Sequence, residues 1–242
     1  MRIAIIAALP SELKPLVGTW RMSRDDVRRA EIWQRVDEAG DEFVAVCAGM
    51  GADCARRAFA AAEALGTVDV VISAGLAGAT DPAARVGECL LLSEIIDVQT
   101  GERFSLTEGD RKLRIATAEI VAGVEEKARL WASYGVVMVD MEAATVARLA
   151  TMRGIPMCCV KAVSDDSDAR LPDLNRFIVD GHLKMATFLM YVAVRPHFWG
   201  SLIKLGKGSA LASKALAKTL KQLLADKNWE RANLTGSVGG QG

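Results

Sequence analysis

Histidine is almost missing from this chain of 242 residues. Only His182 and His197 occur, which excludes a histidine-rich metal site. Cysteine is sparse and odd in number: Cys47, Cys54, Cys89, Cys158 and Cys159 show no metal-ligand spacing. They read as free thiols, several in apolar stretches, in a reducing compartment rather than as a disulfide framework. Long apolar runs are missing too. The longest, Met185 to Val194, is too short to span a bilayer. The N-terminus enters Arg2-Ile3-Ala4-Ile5-Ile6-Ala7-Ala8 with no cleavable signal pattern, so a cytoplasmic protein is expected. No internal repeat is visible, and no low-complexity block precedes the tail.

What is present fits one sizeable globular domain, or one domain plus an appendage: 51% of residues are hydrophobic and 25% charged. The formal net charge of zero hides an asymmetry, with a net −6 over residues 1–194 and +6 over 195–242. An acidic body argues against nucleic acid as the main partner.

Strand-like apolar runs alternate with helical periodicity, which predicts an α/β layered fold. Ile3 to Ala8 reads as a buried strand. Ser11 then stands as an N-cap, with Glu12 in the first turn of a short helix. Phe43 to Ala48 is a second strand, ending in Gly49-Met50-Gly51 before a helix from Ala52 to Leu65. Such a turn lets backbone N–H groups face an anion, or is simply a tight connection. Val68 to Ser73 is a strand running into Ala74-Gly75-Leu76-Ala77-Gly78, where small residues permit close backbone approach. Gly87 to Ser93 and Arg114 to Ala118 read as strands, Thr100 to Lys112 as loop, and Glu125 to Trp131 as helix.

Val136 to Val139 is a further strand, and Met141 to Arg153 is helical. Glu142 therefore sits where a strand gives way to a helix, beyond the carboxyl end of a strand, where ligands gather in open α/β sheets. As a first-turn acid it also suits the helix dipole. Ile155 to Val163 is a buried strand that ends in Ser164-Asp165-Asp166-Ser167-Asp168, either a solvated acidic turn or a site that uses the charge. Asp173 to Val194 reads as a long helix. Past Pro196, Leu202, Leu205, Leu216, Leu220, Leu223 and Leu224 fall on one side of a helical wheel. Lys204, Lys207, Lys214, Lys218 and Lys221 fall on the other, with Gly206 and Gly208 expected to break the run in two. This basic amphipathic extension fits either an interfacial membrane contact or a surface helix packed on the body. Leu234 to Gly242 is glycine-rich and expected to be disordered.

In order and spacing, Glu12, Gly49-Met50-Gly51, Ala74-Gly75-Leu76-Ala77-Gly78, Val139-Asp140-Met141-Glu142-Ala143 and Val163-Ser164-Asp165 resemble the nucleoside phosphorylase / methylthioadenosine nucleosidase superfamily over roughly residues 1–190. Ala122 to Leu130, Val139 to Ala144 and the basic extension look more narrowly like its hopanoid-associated branch, which removes adenine from adenosylhopane, a lipid nucleoside.

The resemblance implies a three-layer α/β/α domain around a mixed sheet over residues 1–194. A helical extension would follow over 195–232 and a disordered tail over 233–242. It implies that Asp165 protonates or hydrogen-bonds N7 of adenine, and that Glu142 accepts from the ribose hydroxyls with Met141 against the sugar. Glu12 would orient or deprotonate an attacking water. Asp140, Gly75, Leu76 and Ser164 would border the substrate. The residue types suit the chemistry, because cleaving an N-glycosidic bond builds positive charge on the sugar and negative charge on the purine.

The sequence departs from the superfamily's phosphorylases at Ser73-Ala74-Gly75-Leu76, which has no Arg and has Leu76 where a phosphate-holding hydroxyl is usual. Gly49, Gly51 and Arg56 (or Arg57) remain as a candidate phosphate cradle. No metal and no cofactor is expected, with phosphate as an optional co-substrate. The expected partners are a purine nucleoside, the inner membrane face through the C-terminal helix, and, by analogy, a second copy of the chain. The alternatives are a methylthioadenosine/S-adenosylhomocysteine nucleosidase and a non-catalytic lipid- or nucleoside-binding protein.

Overall fold

The computed structural model describes residues 1–106, 113–170, 172–184, 187–188, 190–191, 195 and 198–226. The glycine-rich tail and the end of the expected 100–112 loop lie outside the described residues. A mixed sheet in the order β2-β3-β4-β1-β5-β10-β9-β7-β8 forms the middle layer. Its strands are β1 (Arg2–Ala7), β2 (Arg21–Asp25), β3 (Ala30–Val36), β4 (Glu42–Cys47), β5 (Val70–Ala79), β6 (Cys89–Leu92), β7 (Glu94–Asp97), β8 (Arg103–Ser105), β9 (Arg114–Thr117), β10 (Met138–Asp140) and β11 (Met157–Asp165). The helices are α1 (Pro10–Val17), α2 (Ala52–Ala64), α3 (Val124–Tyr134), α4 (Ala143–Arg153) and α5 (Trp199–Asp226).

Strand β5 is the branch point. Its first half pairs in parallel with β1, its whole length runs beside β11, and its end turns antiparallel to β10. Period-two alternation sorts the strand side chains between two cores. Ile3, Ile5, Val70, Ile72 and Val160 face α1 and α5, whereas Ala4, Ile6, Val44, Val46 and Val71 face α2 and α4. This is the expected α/β/α sandwich.

Four local expectations change. Helix α1 starts two residues earlier, because Leu9 is extended (φ −118°, ψ 141°) and Pro10 occupies the first helical position, so Leu9 rather than Ser11 is the cap. Residues 103–105 of the expected 100–112 loop are strand β8, an edge pairing with β7. The expected helix over Asp173 to Val194 is replaced at its start by a 3₁₀ turn (Leu174–Phe177) and a small hairpin, β12 (Ile178–Val179) and β13 (His182–Leu183). The turn between them needs φ > 0 at both Asp180 and Gly181, which a continuous helix cannot supply.

The last change concerns the C-terminal segment, which runs as one unbroken helix through Gly206 and Gly208. Gly208 packs rather than breaks. A Cβ there would stand 2.3 Å from the Ser164 carbonyl oxygen, so only glycine lets α5 lie this close to the end of β11. Helix α5 packs on the body. Ala212, Leu216, Ala217, Leu220 and Leu223 belong to the same core as β1, β4 and β11. The leucine side packs on the body, while Lys204, Lys207, Lys214, Lys218 and Lys221 stay exposed. Among the described residues no helix is long and apolar enough to cross a membrane.

Candidate active site

Several carboxyl ends of the sheet open onto a single cavity of about 180 Å³. Its lining includes Glu12, Leu76, Asp140, Met141, Glu142, Ser164 and Asp165. Residues that lie up to 153 positions apart in the chain, Glu12 and Asp165, thus meet in one cleft.

One end is built around Gly75. Glu12, in the first turn of α1, is buried and accepts from the backbone N–H groups of Ala8 (3.1 Å), Leu9 (3.0 Å) and Leu76 (3.3 Å). Burial pushes its carboxyl above the ordinary range, although the Leu9 N–H and the nearby Lys161 ammonium pull the other way. A Cβ at Gly75, where φ is +145°, would press to 3.3 Å from Glu12 Oε2 and 3.5 Å from Lys161 Nζ. That glycine is required both by its backbone and by the close approach.

Lys161 lies inside β11 and is only 1% exposed. Its ammonium pairs with Asp140 at 2.8 Å and donates to the Ala74 carbonyl at 3.3 Å. Burial alone would lower its pKa; the neighbouring Asp140 carboxylate more than reverses that and keeps the group a cation. Sequence reading missed Lys161. The signal available was a lone cation inside an otherwise apolar strand, which demands a buried partner.

Asp140 is the partner. One of its oxygens accepts from Thr117 Oγ1 (2.7 Å), and the other accepts from Ala143 N (3.0 Å) and Lys161. These bonds cap α4 and hold Lys161. Asp140 also lines the cavity, beside Glu142.

Glu142 precedes α4 and accepts from Gly51 N (2.7 Å) and Met141 N (3.3 Å). Burial, helped by the negative charge of Asp140, lifts its carboxyl to about 7. A carboxyl with a raised pKa accepts fully from sugar hydroxyls only above that value. Nucleoside binding should therefore weaken as the pH falls through about 7, seen as a rise in KM with little change in kcat. A KM that stays flat across this range would remove Glu142 from the sugar site.

The other end is built around Gly78. Asp165 ends β11 just after a register shift between Val163 and Asp165, an irregularity that re-aims the strand's last side chains. Its Oδ1 accepts from Ser164 Oγ at 2.6 Å, and Oδ2 meets the Lys127 ammonium. Ser164 Oγ also lies 3.2 Å from the Ala77 carbonyl. Lys127, on α3, was a second residue that sequence reading passed over.

Ile120, Val121, Ala122, Leu174 and, from α5, Leu205 supply apolar walls. Asn175 braces one of them by accepting from Val121 N (2.9 Å) and donating to its carbonyl (3.2 Å). Gly75 and Gly78 are three residues apart on one strand, so the two ends are about 10 Å apart. That is room for a sugar at one and a flat base at the other.

The glycine turn is arranged differently from an open anion cradle. Gly49 N donates to Ala8 O (3.0 Å), Met50 N to Gly181 O (2.8 Å) and Gly51 N to Glu142. The β12–β13 turn sits directly on it, since a Cβ at Gly49 would be 2.9 Å from the Gly181 carbonyl oxygen. Arg56 points outward and pairs with Asp53. Arg57 reaches Ala48 O at 3.2 Å, beside the turn. Among the described residues no group of His, Cys, Asp and Glu could hold a metal ion.

A family model described as the phosphorylase superfamily matches residues 2–116 and 113–186. The chain belongs to the phosphorylase superfamily. With that membership comes an enzyme that cleaves glycosidic bonds, as the sequence pattern implied. No curated protein matches at the level of sequence.

Solved structures share the fold. The 5'-methylthioadenosine nucleosidase of Arabidopsis thaliana aligns with a TM-score of 0.71 at 17% identity, covering 94% of this chain and 96% of that one. Futalosine hydrolase of Helicobacter pylori aligns at 0.70 and 15%, covering 93% and 98%. S-adenosylhomocysteine nucleosidase of Streptococcus pyogenes, in complex with 5-methylthiotubericidin, aligns at 0.69 and 18%, covering 93% and 97%.

Proposed function

We propose that this superfamily member releases adenine from a purine ribonucleoside, with adenosylhopane as its substrate. The observation that carries the reading is the cavity itself: Glu12 and Glu142 at the Gly75 end and Asp165 at the Gly78 end match the charges that develop as the C1′–N9 bond breaks. The ribose lies at the first end, its hydroxyls on Glu142 and its face on Met141. The purine lies at the second, between the apolar walls, with N7 toward Asp165.

The attacking group is water. Glu12, buried and with a raised pKa, is suited to take a proton from it. Phosphate is disfavoured on two grounds. The N–H groups of the Gly49–Gly51 turn are already bonded within the protein. The sugar end gathers three carboxylates, Glu12, Asp140 and Glu142, against the single ammonium of Lys161.

A lipid-linked substrate is supported by the likeness of residues 122–130 and 139–144 to the hopanoid-associated branch. The outer face of α5 also supports it: Trp199 and Ile203 are 50% and 60% exposed beside the lysine stripe. That contact differs from the one the sequence suggested, because the leucines are committed to the core. The resemblance also implies a homodimer.

The second reading is a methylthioadenosine/S-adenosylhomocysteine nucleosidase, favoured by the fold shared with such enzymes. Competition between methylthioadenosine and adenosylhopane carried in anionic vesicles separates the two. Adenine should come mainly from the lipid, the protein should sediment with the vesicles, and added phosphate should change neither rate nor product. Preference for methylthioadenosine would select the second reading, and a sugar 1-phosphate product would replace water by phosphate.

A further inference from the structure

Asp165 is fully engaged where it stands. Oδ1 lies against Ser164 Oγ and Oδ2 accepts from the ammonium of Lys127. At Oδ2 the hydrogen-bonded proton belongs to Lys127. This lysine is 2% exposed, lines the cavity, and spends a further N–H on the Asp166 carbonyl at 2.8 Å. An ammonium has three N–H bonds, so its hydrogen bonds to Asp165 and Asp166 use two.

Its placement runs against local preference. Lys127 is the fourth residue of α3, near the positive end of that helix dipole, and it is buried as well. The strand beneath makes room for it. A Cβ at Gly78 would stand 3.0 Å from Lys127 Cε and 3.2 Å from Asp165 Oδ2, so the pair exists because residue 78 has no side chain. Such a conflict between local preference and placement is characteristic of functional sites.

We propose that Lys127 is the proton source for the departing purine, acting through Asp165; this rests on the nucleosidase reading above. As the C1′–N9 bond breaks, its electron pair moves into the purine ring. Oδ2 takes a proton from the Lys127 ammonium and passes that proton to N7. Lysine is left as a neutral amine and regains a proton from solvent when the base leaves. At the other end water forms the new bond to C1′ and gives its proton to Glu12, which returns it to solvent. No other reactant is needed.

The test compares two ribosides: adenosine, whose base needs a proton to leave, and para-nitrophenyl riboside, whose phenolate leaves without one. Lys127→Met should lower kcat/KM on adenosine about 100-fold and on the nitrophenyl riboside less than about threefold. Lys127→Arg keeps the charge but holds its proton far more tightly, and should show the same selective loss. Turnover of the nitrophenyl riboside doubles as the check that each variant folds.

Equal losses on both ribosides would make Lys127 structural and overturn the proposal. Full activity of the arginine variant on adenosine would do the same, leaving only its charge at work. Should the unaltered chain cleave neither riboside nor adenosylhopane, the nucleosidase reading itself falls and takes this one with it.

Discussion

Asp165→Asn lowers adenine release by roughly 10²–10⁴-fold, the range a well-placed general acid contributes. The asparagine fills the same volume, and its carbonyl still accepts from the Lys127 ammonium, so the pair's packing survives. What it lacks is an oxygen that can pass a proton to N7. The loss should fall on kcat more than on KM, because the proton is needed only as the bond breaks. Adenine release followed beside a thermal melt decides the matter: a melt close to that of the unaltered chain with turnover gone supports the assignment. Unchanged turnover would refute it.

The second large effect is on stability. Lys161→Met removes the cation from a buried pair in which both side chains are about 1% exposed. Breaking such a pair from one side costs about 3–5 kcal/mol, because the remaining charge is left uncompensated. For a chain of this size, that is a fall in Tm of about 6–20 °C.

The sign of the pH dependence is fixed as well. Glu12 and Glu142 both have raised pKa values in the folded state, and Lys161 is one of the groups that holds them down. Without it, protons taken up at low pH relieve the crowding. The deficit should therefore be largest above about pH 7 and shrink as the pH falls toward the ordinary carboxylate range. Scanning calorimetry at both ends of that range reads it. A melt lowered equally at both would mean that the cavity's charge is not what the lysine balances.

Much of this arrangement was legible before the fold was known. The apolar runs at β1, β4, β5 and β11 are buried on both faces and stand out by composition alone. Glu12, Glu142 and Asp165 stand where strands give way to turns or helices, which is where an α/β sheet puts its ligands. The misses have physical causes. The hairpin of β2 and β3 is an edge with mostly exposed β2 residues, so it carries no apolar run to read. The stretch after Asp173 is apolar enough for a helix, but Asp180 and Gly181 take the left-handed turn that seats a hairpin on Gly49.

Lys127 and Lys161 were missed for another reason. A lysine's default place is the surface; Lys161 at least stands out as a lone cation in an apolar strand, but only tertiary contacts show that Asp165 and Asp140 hold the two inside. Asp140 was read through the family resemblance as a neighbour of the ribose, and the bonds its oxygens make to Thr117, Ala143 and Lys161 emerge only in the fold.

The contact at Gly208 has one more consequence. Because α5 meets the Ser164 carbonyl with no side chain between them, and lends Leu205 to the cavity wall, the carboxyl-terminal helix is part of the reaction chamber. A chain clipped before that helix would lose a wall of the cavity as well as its lysines, so truncation would test both at once. Were α5 to meet a bilayer as proposed, a shift of the helix there would be felt at the cavity wall through Leu205.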